Sequence, residues 1–104
     1  MAMVHVLAVI TAKPGKRDEV LGLFKANVPA VHAEDGCIEY GAVIDHDDAG
    51  GFQTKFGEDS FVVVEKWSSL EALKAHAAAP HMKAYGDKVK DLLADRKIYV
   101  MSNA

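Results

Sequence analysis

A chain of 104 residues, 50% apolar and 26% charged, has the size and composition of one globular domain with a buried core. Its formal net charge of -3, without any block of Lys or Arg, argues against nucleic acid or an anionic membrane surface as a partner. Uninterrupted apolar runs reach only about five residues, too short for a helix across a bilayer.

Met3 to Ala12 reads as a strand, apolar on both faces from Val6 to Ile10. The stretch from Met1 has neither a basic start nor a long apolar segment, so no signal peptide is expected. Lys13-Pro14-Gly15-Lys16 is a turn. Residues 17–34 carry helical spacing in Val20, Phe24, Val28 and Val31, with Leu21 and Leu23 flanking. Pro29 inside that pattern removes an N–H and is expected to kink or split the helix. Asp35-Gly36 closes it, glycine supplying the left-handed position. Cys37 to Asp45 is a second strand, with Ile38, Tyr40, Ala42 and Ile44 on one face. Cys37 is the single cysteine, so no internal disulfide forms, which fits a reducing cytoplasm. A buried, inert thiol is expected there. His46 to Gly51 is a polar turn, and Phe52 to Phe56 is a short strand or an ordered loop.

Residues 59–85 organise the rest. β-Branched and aromatic density at Phe61-Val62-Val63-Val64 makes a strand. Phe61, Val63, Glu65 and Trp67 share one face, and Val62, Val64 and Lys66 the other. Both faces are apolar in the first half, so both are expected to be buried. Ser68 and Glu71 fit a capping box that starts a helix after Trp67. Pro80 ends that helix and opens the next one. His81 then sits in a first helical turn, where the dipole disfavours a second positive charge and keeps the ring neutral. Met82, Tyr85, Val89, Leu92 and Leu93 form an apolar stripe, Ala94-Asp95-Arg96 breaks it, and Lys97 to Met101 is the last strand. The order is that of an α+β, ferredoxin-like split βαβ domain over residues 1–104. Its helices cover one sheet face. The other face is apolar as well, and a second copy in a two-fold homodimer is the simplest cover.

Glu65-Lys66-Trp67 followed by Pro80-His81-Met82-Lys83-Ala84-Tyr85 resembles the antibiotic biosynthesis monooxygenase (ABM) family, and within it the bacterial quinol monooxygenase branch. Lys13-Pro14-Gly15, Glu34-Asp35-Gly36-Cys37 and Phe52-Gln53 add to the likeness, which covers nearly the whole chain. The resemblance implies a dimeric α+β barrel, packed sheet to sheet, that oxygenates phenols or quinols with O2 and needs no metal, flavin or other cofactor. Two departures matter. Haem-degrading relatives carry an Asn and a ligand His where this chain has Ala8 and Tyr85, which disfavours haem chemistry. The polyketide-oxidising branch has an Asn and an Arg where this chain has Val63 and Asp87, so Trp67 carries over without the rest of that site.

Oxygenation without a cofactor needs an apolar pocket, a base near neutrality and a donor for the developing oxyanion. His81 is the candidate base, Tyr85, one turn along the same helix face, the candidate donor, and Trp67 an aromatic wall with one N–H. Phe61 and Val63 share the strand of Trp67, and Glu65 can partner His76 or His81. Tyr40 lines either that cavity or the dimer face. Each residue also has a plain structural role open to it: His81 at a helix start, Trp67 in the core, Tyr85 on the apolar stripe. His5, His32, His46, His76 and His81 do not have the spacing of a helical zinc site. No Gly-rich phosphate loop follows a strand. Two other classes stay open: isomerisation of a small carbonyl signal molecule, and small-molecule binding without turnover by a stress protein.

Overall fold

The computed structural model describes residues 2–104; Met1, where the stretch read as lacking a signal begins, lies outside it. Four strands, β1 (Val4–Ala12), β2 (Cys37–Val43), β3 (Ser60–Trp67) and β4 (Leu93–Ser102), form one sheet in the order β2-β3-β1-β4. Every pairing is antiparallel. Three helices, α1 (Arg17–His32), α2 (Leu70–Ala77) and α3 (Pro80–Val89), complete the α+β ferredoxin-like arrangement.

Strand parity decides which residues meet the helices. Val4, Val6, Ala8, Ile10 and Ala12 of β1 are buried, and in register with them stand Trp67, Glu65, Val63 and Phe61 of β3. Tyr40 lies opposite Glu65 and is 7% exposed, which puts it on the helix side. On α1 the spacing of Val20, Phe24 and Val31 turns three buried side chains to the sheet. Phe24 is the hub, in contact with the rings of Tyr40, Phe61 and Tyr85.

Several local readings change. Pro29 neither splits nor stops α1, which runs unbroken to His32. Pro29 and Lys25, whose carbonyl loses its N–H partner, are both on the exposed side, where water can take the bond. The cap of α2 is Ser69, not Ser68: the Ser69 hydroxyl accepts from the Ala72 N–H at 3.1 Å. A register shift between Cys37 and Glu39 breaks the alternation of β2, so Ile38 is 56% exposed while Tyr40 is buried. β4 begins at Leu93, before the expected breaker, because Asp95 and Arg96 already pair with Thr11 and Ile10. Residues 52–56 form no strand. The Asp45 carboxylate holds that loop, accepting from the N–H groups of Phe56 at 3.0 Å and Gly57 at 2.8 Å.

Gly36, in the turn between α1 and β2, fixes how that turn packs against the start of α2. Its φ is +83°, and its carbonyl accepts the Ser68 N–H at 2.8 Å. A β-carbon there would stand 2.6 Å from both the Ala72 β-carbon and the Ser68 hydroxyl.

Candidate functional site

The close approach at Gly36 brings Glu34, two residues earlier, up to the end of α2 and the start of α3. Its Oε2 accepts the Nδ1–H of His76 at 2.8 Å. The same oxygen lies 3.2 Å from Nε2 of His81, off the line of a hydrogen bond. One carboxylate oxygen therefore faces two imidazoles. His76 is 5% exposed, with its ring 4.6 Å from that of Trp67 and 5.4 Å from that of Tyr40. A polar ring so deeply placed needs a partner, and Glu34 supplies it.

Pro80 occupies the first turn of α3, so its missing N–H costs nothing, and the turn aims His81 back at α1. Asn27 of α1 donates from Nδ2 to His81 Nδ1 at 3.2 Å. A cleft of ≈ 230 Å³ opens here between α1 and α3, with Leu23, Asn27, His81, Tyr85 and Lys88 among its walls. Burial pushes the Tyr85 phenol up to about 12, so at neutral pH it keeps its proton and can donate. Burial pushes the Tyr40 phenol up as well, with the Glu65 charge adding to it.

The expected site residues thus fall into two groups. His81 and Tyr85 line one cleft, as the helical spacing predicts. Trp67, Phe61, Val63, Tyr40, Glu65 and His76 form the buried layer behind it. The expected pocket against Trp67 is corrected: Trp67 is 0% exposed, and its N–H donates to Glu65 Oε1 at 2.9 Å. That N–H is spent within the core and offers nothing to a ligand. Burial raises the Glu65 carboxyl above the usual range, and the Trp67 hydrogen bond works against that rise. Cys37, opposite Trp67, is a free thiol raised by burial and by Glu34.

Glu34 and Asn27 were not foreseen as site residues. Glu34 lies in the motif Glu34-Asp35-Gly36-Cys37, where it reads as the end of a helix; the seven-residue spacing from Asn27 was the one clue that both face α3. Among the described residues no three His, Cys, Asp or Glu side chains are grouped to hold a metal ion.

Comparison with known proteins identifies relatives of the whole chain. The family model described as antibiotic biosynthesis monooxygenase matches residues 3–88. An Escherichia coli (strain K12) protein named "Probable quinol monooxygenase YgiN" is 38% identical over 101 residues, covering 95% of this chain and 96% of its own. Among solved structures, PA3566 from Pseudomonas aeruginosa is 25% identical, with a TM-score of 0.82 over 100% of this chain and 96% of that one. Rv0793 from Mycobacterium tuberculosis is 26% identical, with a TM-score of 0.81 over 99% and 96%.

Proposed function

The chain belongs to the antibiotic biosynthesis monooxygenase family, and from that membership and the His76–Glu34–His81 cluster we propose a cofactor-independent monooxygenase that oxidises a quinol or phenol-like aromatic small molecule with O2. The observation that carries this reading is a histidine backed by a carboxylate and opening on a cleft that also holds a protonated phenol. His81 takes the substrate hydroxyl proton, and Glu34 balances the imidazolium that results. Tyr85 donates to the phenolate oxygen and holds its charge close to the base. The electron-rich anion passes an electron to O2, and recombination places one oxygen on a ring carbon. The other oxygen leaves as water, so a quinol and O2 give a hydroxyquinone and water with every electron drawn from the ring.

The active form in this proposal is a homodimer joined through the sheet face away from the helices. That face carries Val9 beside Val62 and Val43, and Tyr99 beside Leu7 and Val64, an apolar row that another sheet can cover.

Oxygen uptake with a reduced naphthoquinone, after subtraction of autoxidation, tests the reaction. Uptake above the blank is expected, and His81→Ala should lower it by about 10²-fold with the fold retained. Tight binding without uptake would assign the chain to ligand binding instead. Undiminished uptake by His81→Ala would move the base elsewhere.

A further inference from the structure

The two ring nitrogens of His81 are in different settings, and neither is left free for a ligand. Nε2 is buried beside Glu34, and Nδ1 is met by the Asn27 amide at 3.2 Å. The Asn27 nitrogen also lies 3.4 Å from the Met82 sulfur. The Met82 sulfur has lone pairs and no proton, so it favours the NH2 end of the amide on this side; the carbonyl oxygen would face that sulfur without a donor. Donation to Nδ1 in turn requires that Nδ1 carry no proton. The neutral His81 ring therefore has its proton on Nε2, facing Glu34. His76 is the reverse, with Nδ1–H donating to the same carboxylate oxygen. The resting base has no free lone pair.

We propose that Asn27 is a positioning residue for His81: its amide holds the Nδ1 lone pair toward the α1–α3 cleft and yields that place to the hydroxyl of an incoming phenol. The proposal rests on the reading of His81 as base and adds where the proton lands. Asn27 and His81 line the same cleft, so a hydroxyl that reaches Nδ1 must come in along the amide. The substrate O–H bond then breaks and an N–H bond forms at Nδ1, with the electron pair left on oxygen. The displaced NH2 group becomes a second donor for that oxygen, beside Tyr85. The imidazolium keeps its Nε2–H against Glu34, so charge is balanced without moving a second proton. A phenol or quinol suits this exchange because it offers both a donor hydrogen for Nδ1 and an oxygen that can accept from the amide. A carbonyl compound offers only the acceptor.

The test uses two variants and needs no turnover for its first readout. In protein with 15N-labelled histidine, and with His81→Ala to assign the ring signals, wild-type His81 should show an unprotonated, hydrogen-bonded Nδ1 and a protonated Nε2. In Asn27→Ala the Nδ1 signal should move to that of an acceptor without a donor. In Asn27→Asp a carboxylate faces Nδ1 while Glu34 faces Nε2. With His76, Tyr85 and Lys88 the other titratable groups around it, the ring should keep both protons to a pH higher by about one unit or more. The rising limb of the oxygen-uptake profile should move by the same amount. Unchanged His81 signals in Asn27→Ala, or a His81 titration in Asn27→Asp identical to wild type, would overturn the role of Asn27. Absence of oxygen uptake by the wild-type chain would overturn the proposed reaction while leaving the ring measurement decisive for Asn27.

Discussion

Glu34 Oε2 serves two rings, 2.8 Å from His76 and 3.2 Å from His81, so loss of its charge should be felt at both. Glu34→Gln should lower turnover by about 10-fold or more, through an imidazolium left without its counter-charge. Binding of an oxidised quinone analogue, which transfers no proton, should change much less; equal losses in both would make Glu34 a scaffold residue only. Behind it, the Trp67–Glu65 pair makes a stability claim. Trp67→Phe leaves a buried carboxyl without its donor and should cost about 1–3 kcal/mol in denaturant unfolding. The pH dependence of Glu65 has a definite sign. A carboxyl raised by burial binds its proton more tightly folded than unfolded, so its contribution is fully present below the ordinary carboxylate range. It is lost as pH rises through the raised value. The melting temperature of Glu65→Gln minus that of wild type should therefore grow as pH rises from acid to neutral; a flat difference would refute it. His81 and Tyr85 were legible because helical spacing and Pro80 put them on one face. Glu34 and Asn27 were not, because their meaning lies in partners 42 and 54 residues away.

At the level of elements, the close-packed turn at Gly36 is the most sensitive point. Gly36→Ala meets both a positive φ and contacts of 2.6 Å, one of them to the short, unyielding Ala72 side chain. It should destabilise the fold by more than about 1 kcal/mol, and Ala72→Gly should recover only part of this, because the backbone strain stays. Full recovery would make the clash the entire cost. Strand parity was readable because a two-residue period leaves no choice of face once one face is known. It failed at Ile38, where a bulge adds a residue that no alternation can show. The Phe52 to Phe56 loop was ambiguous for a similar reason: its order comes from Asp45, a single side chain eleven residues back from Phe56. The backbone donations of Gly57 and Phe56 hold the Asp45 carboxyl below its usual range, so this clamp is present above the ordinary carboxylate range. It should loosen as pH falls, visible as lower protection of the Phe56 and Gly57 amides, relative to their intrinsic exchange rates, in acid.

For the molecule as a whole, the proposed second copy makes the sharpest prediction. Val62→Lys with Val64→Lys would put two charges on the sheet face proposed to meet a second copy, and should lower both association and melting temperature. Sedimentation of the unaltered chain as a stable folded monomer at micromolar concentration would exclude the dimer. The ferredoxin-like order was legible because each element carried its own period and its own punctuation. The position of the cleft was not, since it depends on the angle at which α1 meets α3, a quantity that no single segment encodes. Tyr99, which pairs with Leu7 on the face away from the helices, is 51% exposed, and Ile98 and Val100, which pair with Ala8 and Val6 on the helix face, are as open at 52% and 51%, so the end strand β4 is uncovered on both sides.

β1 lies in the middle of the sheet, yet both of its neighbours come late in the sequence. Val4 pairs with Trp67 and with Ser102, so β1 gains one flank only when β3 has emerged from the ribosome, and the other after β4. At about 5–20 residues per second, the apolar run from Val6 to Ile10 leaves the ribosome seconds before it has anything to pair with. The growing chain thus carries an unpaired, two-sided apolar strand until residues 60–67 have emerged. Ribosome-bound chains stopped before residue 60 should be held by chaperones that recognise such segments, and chains extended past β4 should be released.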